Sequence, residues 1–206
     1  MAADGVPMFR ARLPLVLASA SPRRRRFLDQ LGLAFTVEAA DVVEEAVPGE
    51  EPRAFVLRLA MDKARVVAGR RSAGVVVAAD TVVVLDETIL GKPVDPDAAV
   101  EMLLRLAGRT HAVWTGYAVV SRQRGIELAR AVCTEVRFVP FGRDTAAAYV
   151  ATGEPLDKAG SYGIQGRGGC LVERIDGSYS NVVGLPVAEL VADLRALEVI
   201  ETVTVG

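Results

Sequence analysis

The sequence predicts a mixed α/β fold. Segments rich in Val and Leu alternate with longer segments whose apolar residues recur at helical spacing, and two Val- and Thr-rich segments are joined by a short Arg-Gly turn. Of the 206 residues, 51% are apolar. This is enough to bury a full core, either in one large domain or in two packed lobes.

The first half of the chain is predicted to contain an N-terminal tail followed by alternating strands and helices. Residues 1–12 mix Ala, Gly, Pro and Arg without a period, so we expect them to form a flexible N-terminal tail. A strand at 13–18 then leads to a helix that Ser21 caps, Pro22 begins and Gly32 ends. The elements that follow are a strand at 35–39, an acidic loop, a long helix at 52–69, and a strand at 75–85 that Asp80 and Thr81 interrupt.

The second half starts with a helix that Asp95-Pro96 begins and Gly108 ends. Two antiparallel strands come next, at 111–120 and 127–138. The last elements are a short helix at 144–152, a glycine-rich loop, a strand at 170–175, a turn, and a helix at 186–197. We therefore expect residues 13–206 to form a single domain.

Charge and hydropathy exclude two classes of partner. The formal net charge of -2 provides no basic footprint, which argues against nucleic acid as a ligand. The longest apolar runs are too short to span a bilayer, and the N-terminus lacks a basic segment followed by a long apolar one. The sequence thus predicts a cytoplasmic protein without a membrane segment.

Four arginines occupy residues 23–26, the first turn of a helix, where the helix dipole is already positive. Arg24 lies on the same stripe as the apolar residues that follow it, so it is expected to face inward. The loop Ser19-Ala20-Ser21 can present hydroxyl and backbone N–H donors to the same anion. The alternative is a solvated basic turn.

Two further charges stand in apolar surroundings. Lys63 falls within the apolar stripe of its helix, and Asp80 interrupts a run of Val and Ala. A buried charge must be paired or bind an ion, so both residues are candidates for a phosphate and metal site. The alternatives are a lysine that reaches solvent with its tip and an aspartate that merely ends its strand. His111, the only histidine, has no partner that would make it a catalytic base.

Eight short motifs spread over residues 13–197 carry a family resemblance. They are Ser19-Ala20-Ser21-Pro22-Arg23-Arg24, Asp62-Lys63-Ala64, Ala79-Asp80-Thr81-Val82-Val83, Gly91-Lys92-Pro93, Thr115-Gly116, the glycine-bounded segment 153–160, Gly163-Ile164-Gln165-Gly166, and the segment 177–186. In this order, they resemble the Maf family of nucleoside triphosphate pyrophosphatases. The resemblance implies an elongated mixed sheet flanked by helices, with two lobes around a deep cleft, similar to inosine triphosphate pyrophosphatases.

The resemblance also implies an activity. Family members hydrolyse a nucleoside triphosphate at the α-phosphorus to the monophosphate and pyrophosphate, use a divalent metal cation, Mg²⁺ or Mn²⁺, and often form homodimers. Ala79-Asp80-Thr81 and Ile164-Gln165-Gly166 resemble the branch that prefers dTTP and UTP. The sister branch, which acts on methylated guanosine triphosphate, tends to carry Ser-Asp-Gln and Ser-Glu-Gly there. Modified pyrimidine nucleotides are further candidate substrates of this house-cleaning activity.

The resemblance assigns roles residue by residue. Asp80 matches the catalytic proton acceptor and a metal ligand, and Glu45, in the acidic loop beside Glu44, is the second candidate ligand. The matches for substrate choice are Arg23, Thr81 and Gln165, and those for phosphate binding are Arg24, Lys63, Lys92 and Lys158. Ser19 and Ser21 are substrate-binding candidates because of their donors beside Arg24.

These residues suggest a mechanism and leave an alternative. Asp80 would deprotonate a water that attacks the α-phosphorus, the cationic side chains would converge on the triphosphate, and the Gln165 amide would read the pyrimidine edge. The alternative is a nucleotide sensor that binds the triphosphate without turnover and regulates cell division. A phosphomonoesterase is disfavoured, because the chain has no Cys-x5-Arg arrangement and its one Asp-x-Asp sequence, Asp95-Pro96-Asp97, is interpreted as a helix start and not as a nucleophile.

Overall fold

A computed structural model describes residues 6–45 and 47–204. The strands are β1 Phe9–Ala11, β2 Leu15–Leu17, β3 Thr36–Val37, β4 Val75–Leu85, β5 Thr88–Leu90, β6 Thr110–Ser121, β7 Ile126–Phe138, β8 Val172–Asp176 and β9 Ile200–Thr202. The α-helices are α1 Pro22–Gln30, α2 Pro52–Gly69, α3 Pro96–Leu106, α4 Arg143–Val150, α5 Tyr179–Val183 and α6 Val187–Ala196. Short 3-10 helices cover Ala159–Ser161 and Arg167–Leu171.

Most strands belong to one mixed sheet with the order β3-β2-β4-β6-β7-β8, in which β5 also pairs with β4. Strand β2 runs parallel to β3 and to β4, whereas β5 is antiparallel to β4 and β8 to β7. Parallel neighbours require crossover connections, and α1 and α2 provide them here. The predicted α/β class, with a mixed sheet flanked by helices, is confirmed. The deep cleft and the likeness to inosine triphosphate pyrophosphatases stay predictions.

The chain divides into two compact units. The described residues of the first unit lie within 1–80, 116–131 and 184–206, and those of the second within 81–115 and 132–183. The unit boundaries fall inside β4, β6 and β7, so these strands contribute to both units. That residues 13–206 form a single domain stays a prediction.

The core of the first unit has two layers, because alternate residues of a strand point to opposite faces of the sheet. Leu15 and Leu17 of β2 pack into the cluster that includes α1 and α6. Val16 and Ala18 pack into the cluster that includes α2. Both faces are therefore covered, which explains why the first half of β4, at 75–79, is an uninterrupted run of Val and Ala.

The core of the second unit is built around the second half of β4. Val83 and Leu85 pack there with Leu103 and Leu106 of α3 and with Phe138 of β7. Helix α3 begins as predicted, because the side chain of its N-cap residue, Asp95, accepts a hydrogen bond of 2.7 Å from the backbone N–H of residue 98.

The structure corrects the predicted tail at residues 9–11. Phe9–Ala11 form β1, which pairs antiparallel with β9, and Phe9 is only 4% exposed. Phe9 lies opposite Thr202, near the other end of the chain. Because its partner is so distant in sequence, local periodicity does not predict this strand. Residues 1–5 of the predicted tail lie outside the described residues.

Gly116 lies where β6 passes closest to α2. A Cβ atom added at this position would lie 2.4 Å from the backbone oxygen of Val56 and 2.9 Å from the backbone nitrogen of Leu57. Backbone atoms cannot rotate away, so we expect Gly116→Ala to lower the free energy of unfolding by about 3 kcal/mol. Urea unfolding followed by circular dichroism measures this change.

The control for this prediction is Gly69→Ala, at the end of the same helix. Its added Cβ meets nothing within 4 Å, so stability should stay the same or rise slightly. Equal unfolding free energies for Gly116→Ala and the wild type would contradict the close approach of β6 and α2.

Candidate active site

The loop between β2 and α1 places an arginine beside a serine. Ser21 occupies the N-cap position and Pro22 begins α1, as predicted, but the Ser21 side chain makes no capping bond. Instead, the Ser21 N–H donates to Ser19 Oγ at 3.2 Å, and Arg24 Nη1 donates to the same oxygen at 3.3 Å. Arg24 Nε donates to the carbonyl of Gly184 at 2.8 Å. These hydrogen bonds fix the direction of the Arg24 side chain.

Arg24 is partly buried, whereas the two arginines that follow it are exposed. Burial lowers the pKa of Arg24 below its ordinary value, while the negative charges of Asp80 and Glu44 act in the opposite direction. A guanidinium keeps its proton in proteins even so. Arg24 therefore places a positive charge near these two carboxylates, and the solvated-turn alternative fits only the exposed arginines.

Lys63 of α2 pairs with two carboxylates. Its Nζ lies 2.6 Å from Asp80 Oδ1 and 2.6 Å from Glu44 Oε1. The side chains of Lys63 and Asp80 are only 9% and 11% exposed, whereas that of Glu44 is 49% exposed. The lysine is therefore buried and paired, and it does not reach into solvent with its tip. An ion pair of this kind is the condition under which a carboxylate can be accommodated inside a buried strand.

Strand β4 runs unbroken through Asp80 and Thr81. The expected interruption at these residues is wrong, and so is the alternative that Asp80 ends its strand. The Lys63 ammonium supplies the partner that Asp80 needs, so the strand continues and the carboxylate is held at a fixed position along it.

The acidic loop after β3 contributes Glu44 to this group of charges. The backbone carbonyl of Glu45 accepts a hydrogen bond from Arg58 Nη2 at 3.1 Å. The loop has no regular periodicity, so sequence could not indicate which of the two glutamates turns toward Lys63. The metal-binding role of Glu45 stays a prediction, and the geometry makes Glu44 a further candidate.

The carboxylates of Asp80 and Glu44 are suited to sharing a divalent cation. Both contact the same Lys63 nitrogen at 2.6 Å, so their oxygens lie at most twice that distance apart. Mg²⁺ is commonly bound through one or two carboxylates, with phosphate oxygens and waters completing the shell. No group of three or more His, Cys, Asp or Glu within the described ranges is arranged to hold an ion. The oxygen donors of Asp80 and Glu44 fit a hard divalent cation.

Thr81, in the second unit, begins a chain of hydrogen bonds. Its Oγ1 lies 2.9 Å from Thr115 Oγ1, which donates to the carbonyl oxygen of Asn181 at 3.0 Å. A hydroxyl has one hydrogen, so Thr81 is the donor in the first of these bonds. The Asn181 side chain donates onward to Val113 O and Thr134 Oγ1. The motifs that contain Thr115 and Asn181 can be recognised in the sequence, but the hydrogen-bond network cannot.

Arg23 is partly buried in α1 of the first unit, whereas the other remaining predicted residues belong to the second unit. Gln165 is exposed, and within 6–45 and 47–204 its side chain makes no hydrogen bond. Lys158 Nζ donates to the backbone carbonyl of Glu154 and to Asp157 Oδ1, the latter at 2.6 Å. Lys92 is exposed after β5. The roles of these three residues in binding nucleotide stay predictions.

His111 is structural, as expected. It is 3% exposed, its Nε2 lies 2.8 Å from Tyr162 Oη, and its ring packs edge-on against Phe138. Burial lowers the pKa of His111 to about 4, so the imidazole is neutral at physiological pH. Its contacts are those of a core residue.

Comparison with known proteins identifies the family of this chain. The family described as Maf-like protein matches residues 14–197. A dTTP/UTP pyrophosphatase of Desulfotalea psychrophila is 54% identical over 193 residues, which cover 94% of this chain and 99% of that protein. Proteins of the same name from Geobacter sulfurreducens and Anaeromyxobacter dehalogenans are 54% identical over 183 residues, covering 89% and 88% of this chain and 96% and 92% of theirs. The chain belongs to the Maf family.

Proposed function

We propose that this protein hydrolyses dTTP and UTP to the nucleoside monophosphate and pyrophosphate. The observation that carries the proposal is the contact of Lys63 with both Asp80 and Glu44, at 2.6 Å each, within the electrostatic influence of Arg24. This group combines a proton acceptor, two metal-binding carboxylates and cationic charge. The similarity to proteins named dTTP/UTP pyrophosphatase over nearly the whole chain supports the substrate. Modified pyrimidine triphosphates are further candidate substrates.

In the proposed mechanism, Asp80 accepts a proton from the water that attacks the α-phosphorus. The bond between this phosphorus and the oxygen that bridges to the β-phosphorus breaks, and its electron pair leaves with pyrophosphate. Lys63 stabilises the negative charge on Asp80, and Arg24 offsets the charge of the triphosphate. Asp80 and Glu44 would hold a divalent cation, which would supply Lewis-acid stabilisation of the negative charge and increase the acidity of water.

Incubation with UTP and Mg²⁺ followed by chromatography of the products tests this function. The expected result is UMP and pyrophosphate in equal amounts, with many turnovers per chain. A nucleotide sensor would release no pyrophosphate, and the names of the curated relatives do not favour that alternative. A phosphomonoesterase would release orthophosphate first. Either of these outcomes would overturn the proposal.

Gln165 is proposed to select the base. A uracil or thymine edge offers a carbonyl acceptor beside an N–H donor, and an amide can complement both. Gln165→Glu removes one donor, so we expect the preference for UTP over CTP, measured as the ratio of kcat/KM values, to fall about tenfold. Relative rates for UTP, dTTP, CTP and GTP measure this change.

The matched control is Gln123→Glu, the same substitution at an exposed position in the turn after β6. It should leave the relative rates unchanged. Wild-type relative rates in Gln165→Glu would contradict the role of Gln165 in base selection without affecting the proposed phosphate chemistry.

We also propose a cellular location and an oligomeric state for the protein. No helix in the described part of the chain combines the length and apolar character needed to cross a bilayer. We propose that it acts in the cytoplasm, without nucleic acid as a ligand, and as a homodimer. Light scattering after size-exclusion chromatography would give the mass of a single chain if the dimer proposal is wrong.

A further inference from the structure

The segment 163–168, here called the Gln165 loop, is hydrogen-bonded at its beginning to a buried tyrosine. The Gly163 N–H donates to Tyr149 Oη at 3.0 Å, and Tyr149 Oη donates in turn to Glu154 Oε1 at 2.8 Å. Tyr149 belongs to α4 and is 6% exposed. The start of the loop is therefore attached to a helix of the second unit.

The end of the same loop is hydrogen-bonded to the carboxylate of Glu154. The Arg167 N–H donates to Oε2 at 2.9 Å, and the Gly168 N–H donates to Oε1 at 3.1 Å. The Glu154 carboxylate thus holds the N–H groups of Arg167 and Gly168, which follow Gln165 in the chain. Tyr149, which is hydrogen-bonded to that carboxylate, holds the N–H group of Gly163, which precedes Gln165. Bonds from N–H groups to an ionised carboxylate are among the stronger ones in proteins.

Two glycines make this close approach feasible. A Cβ atom added at Gly166 would lie 2.4 Å from Glu154 Oε2, and one added at Gly168 would lie 2.4 Å from Tyr149 Oη. A side chain at either position would displace the group that holds the loop. The glycines of this loop are therefore explained by the close contacts to Glu154 and Tyr149.

Glu154 is itself held in place. Its N–H donates to Thr152 Oγ1 at 3.2 Å, and the Thr152 hydroxyl donates to the Tyr149 carbonyl at 2.7 Å. Burial acts to raise the pKa of Glu154, but the hydrogen bonds from Arg167, Gly168 and Tyr149 outweigh it and lower the pKa below its ordinary value. The side chain is therefore ionised near neutral pH and acts as an acceptor only.

We propose that Glu154 and Tyr149 are positioning residues that hold Gln165 in the place where it distinguishes pyrimidine bases. This inference rests on the proposed function and adds two residues to it. Gln165 has an exposed side chain without hydrogen bonds among the described residues, so its placement depends on the backbone on either side. Loosening that backbone should affect base choice more than the chemistry at the phosphorus.

Glu154→Gln and Tyr149→Phe test the proposal in steady-state hydrolysis. The first change turns an amide donor toward backbone N–H groups, and the second removes the hydroxyl that bridges Gly163 to Glu154. We expect each change to lower the UTP-to-CTP ratio of kcat/KM about tenfold, the effect of one charge-assisted hydrogen bond. Glu173→Gln, an exposed ion-pair residue of the same unit, is the control and should keep the wild-type ratio.

A Gln165→Ala background separates positioning from general stability. If Glu154 acts through Gln165, adding Glu154→Gln to Gln165→Ala should leave the UTP-to-CTP ratio unchanged. A merely structural role would lower kcat/KM for both nucleotides equally, in both backgrounds, and this result would overturn the proposal. Tyr149→Phe, which removes a single oxygen atom, carries the same test if Glu154→Gln fails to fold.

Amide hydrogen exchange tests the attachment of the loop without relying on turnover. We expect the N–H groups of Arg167 and Gly168 to exchange about tenfold faster in Glu154→Gln, and that of Gly163 in Tyr149→Phe. Wild-type exchange rates would overturn the positioning role even if hydrolysis proceeds. If the wild-type protein releases no pyrophosphate from UTP, the proposed function is wrong, and so is the role of these residues in base choice. The exchange rates would still show whether Glu154 and Tyr149 hold the loop.

Discussion

Asp80→Asn is expected to lower kcat for UTP hydrolysis by at least about 10³-fold. The amide keeps the shape of the carboxylate but cannot accept the proton of the attacking water, and it removes one of the two negative charges that would hold a divalent cation. Lys63 keeps Glu44 as a partner, so the free energy of unfolding should fall by only about 1–3 kcal/mol. Pyrophosphate release under saturating UTP and Mg²⁺ measures the first effect, and thermal unfolding measures the second.

Asp29→Asn, the same substitution at an exposed position of α1, is the control for this prediction. It should retain wild-type turnover and stability. Wild-type turnover in a folded Asp80→Asn variant would show that the group around Lys63 is not where the water is activated, and the mechanism would have to be abandoned.

The charged residues of this group could be identified from sequence because they break an apolar pattern. Lys63 interrupts the stripe of a helix, and Asp80 interrupts a run of Val and Ala. Burying a charge without a partner costs several kcal/mol, so each anomaly already implied a partner. Neither pattern could show that the two residues are each other's partner, because that depends on how α2 packs against β4.

Other features of the structure could not be predicted from the sequence. The choice between Glu44 and Glu45 depends on the course of an irregular loop, for which neighbouring residues provide no periodic signal. Strand β1 pairs with a segment near the opposite end of the chain, so its existence is a long-range effect. Glu154 lies in a recognised motif, but only coordinates reveal that its carboxylate receives the N–H groups of Arg167 and Gly168.

Lys63→Met is expected to lower kcat/KM for UTP about 10²-fold. Methionine keeps an unbranched apolar side chain of similar length, so the change removes mainly the charge. Asp80 and Glu44 then lose the cation that lies between them, and the triphosphate loses one stabilising charge. Because Asp80 is left buried beside another carboxylate, the free energy of unfolding should also fall, by about 3 kcal/mol. Steady-state rates and urea unfolding measure the two effects.

Arg65→Met, two residues further along α2, is the matched control. Arg65 pairs with Glu127 at the surface, with side chains 55% and 51% exposed, so its loss should change neither activity nor stability appreciably. If Lys63→Met retains wild-type kcat/KM, Lys63 serves the fold alone and has no part in handling phosphate.

Combining Lys63→Met with Asp80→Asn separates the two roles of the lysine. Replacing both members of a buried ion pair by neutral groups of similar shape leaves no unpaired charge in β4, so part of the stability lost in Lys63→Met should return. Hydrolysis should not return, because the proton acceptor is now missing as well. Recovery of the unfolding free energy without recovery of turnover would therefore assign the ion pair to stability and the Asp80 carboxylate to catalysis. A double variant less stable than Lys63→Met alone would contradict the view that the lysine is needed to neutralise Asp80.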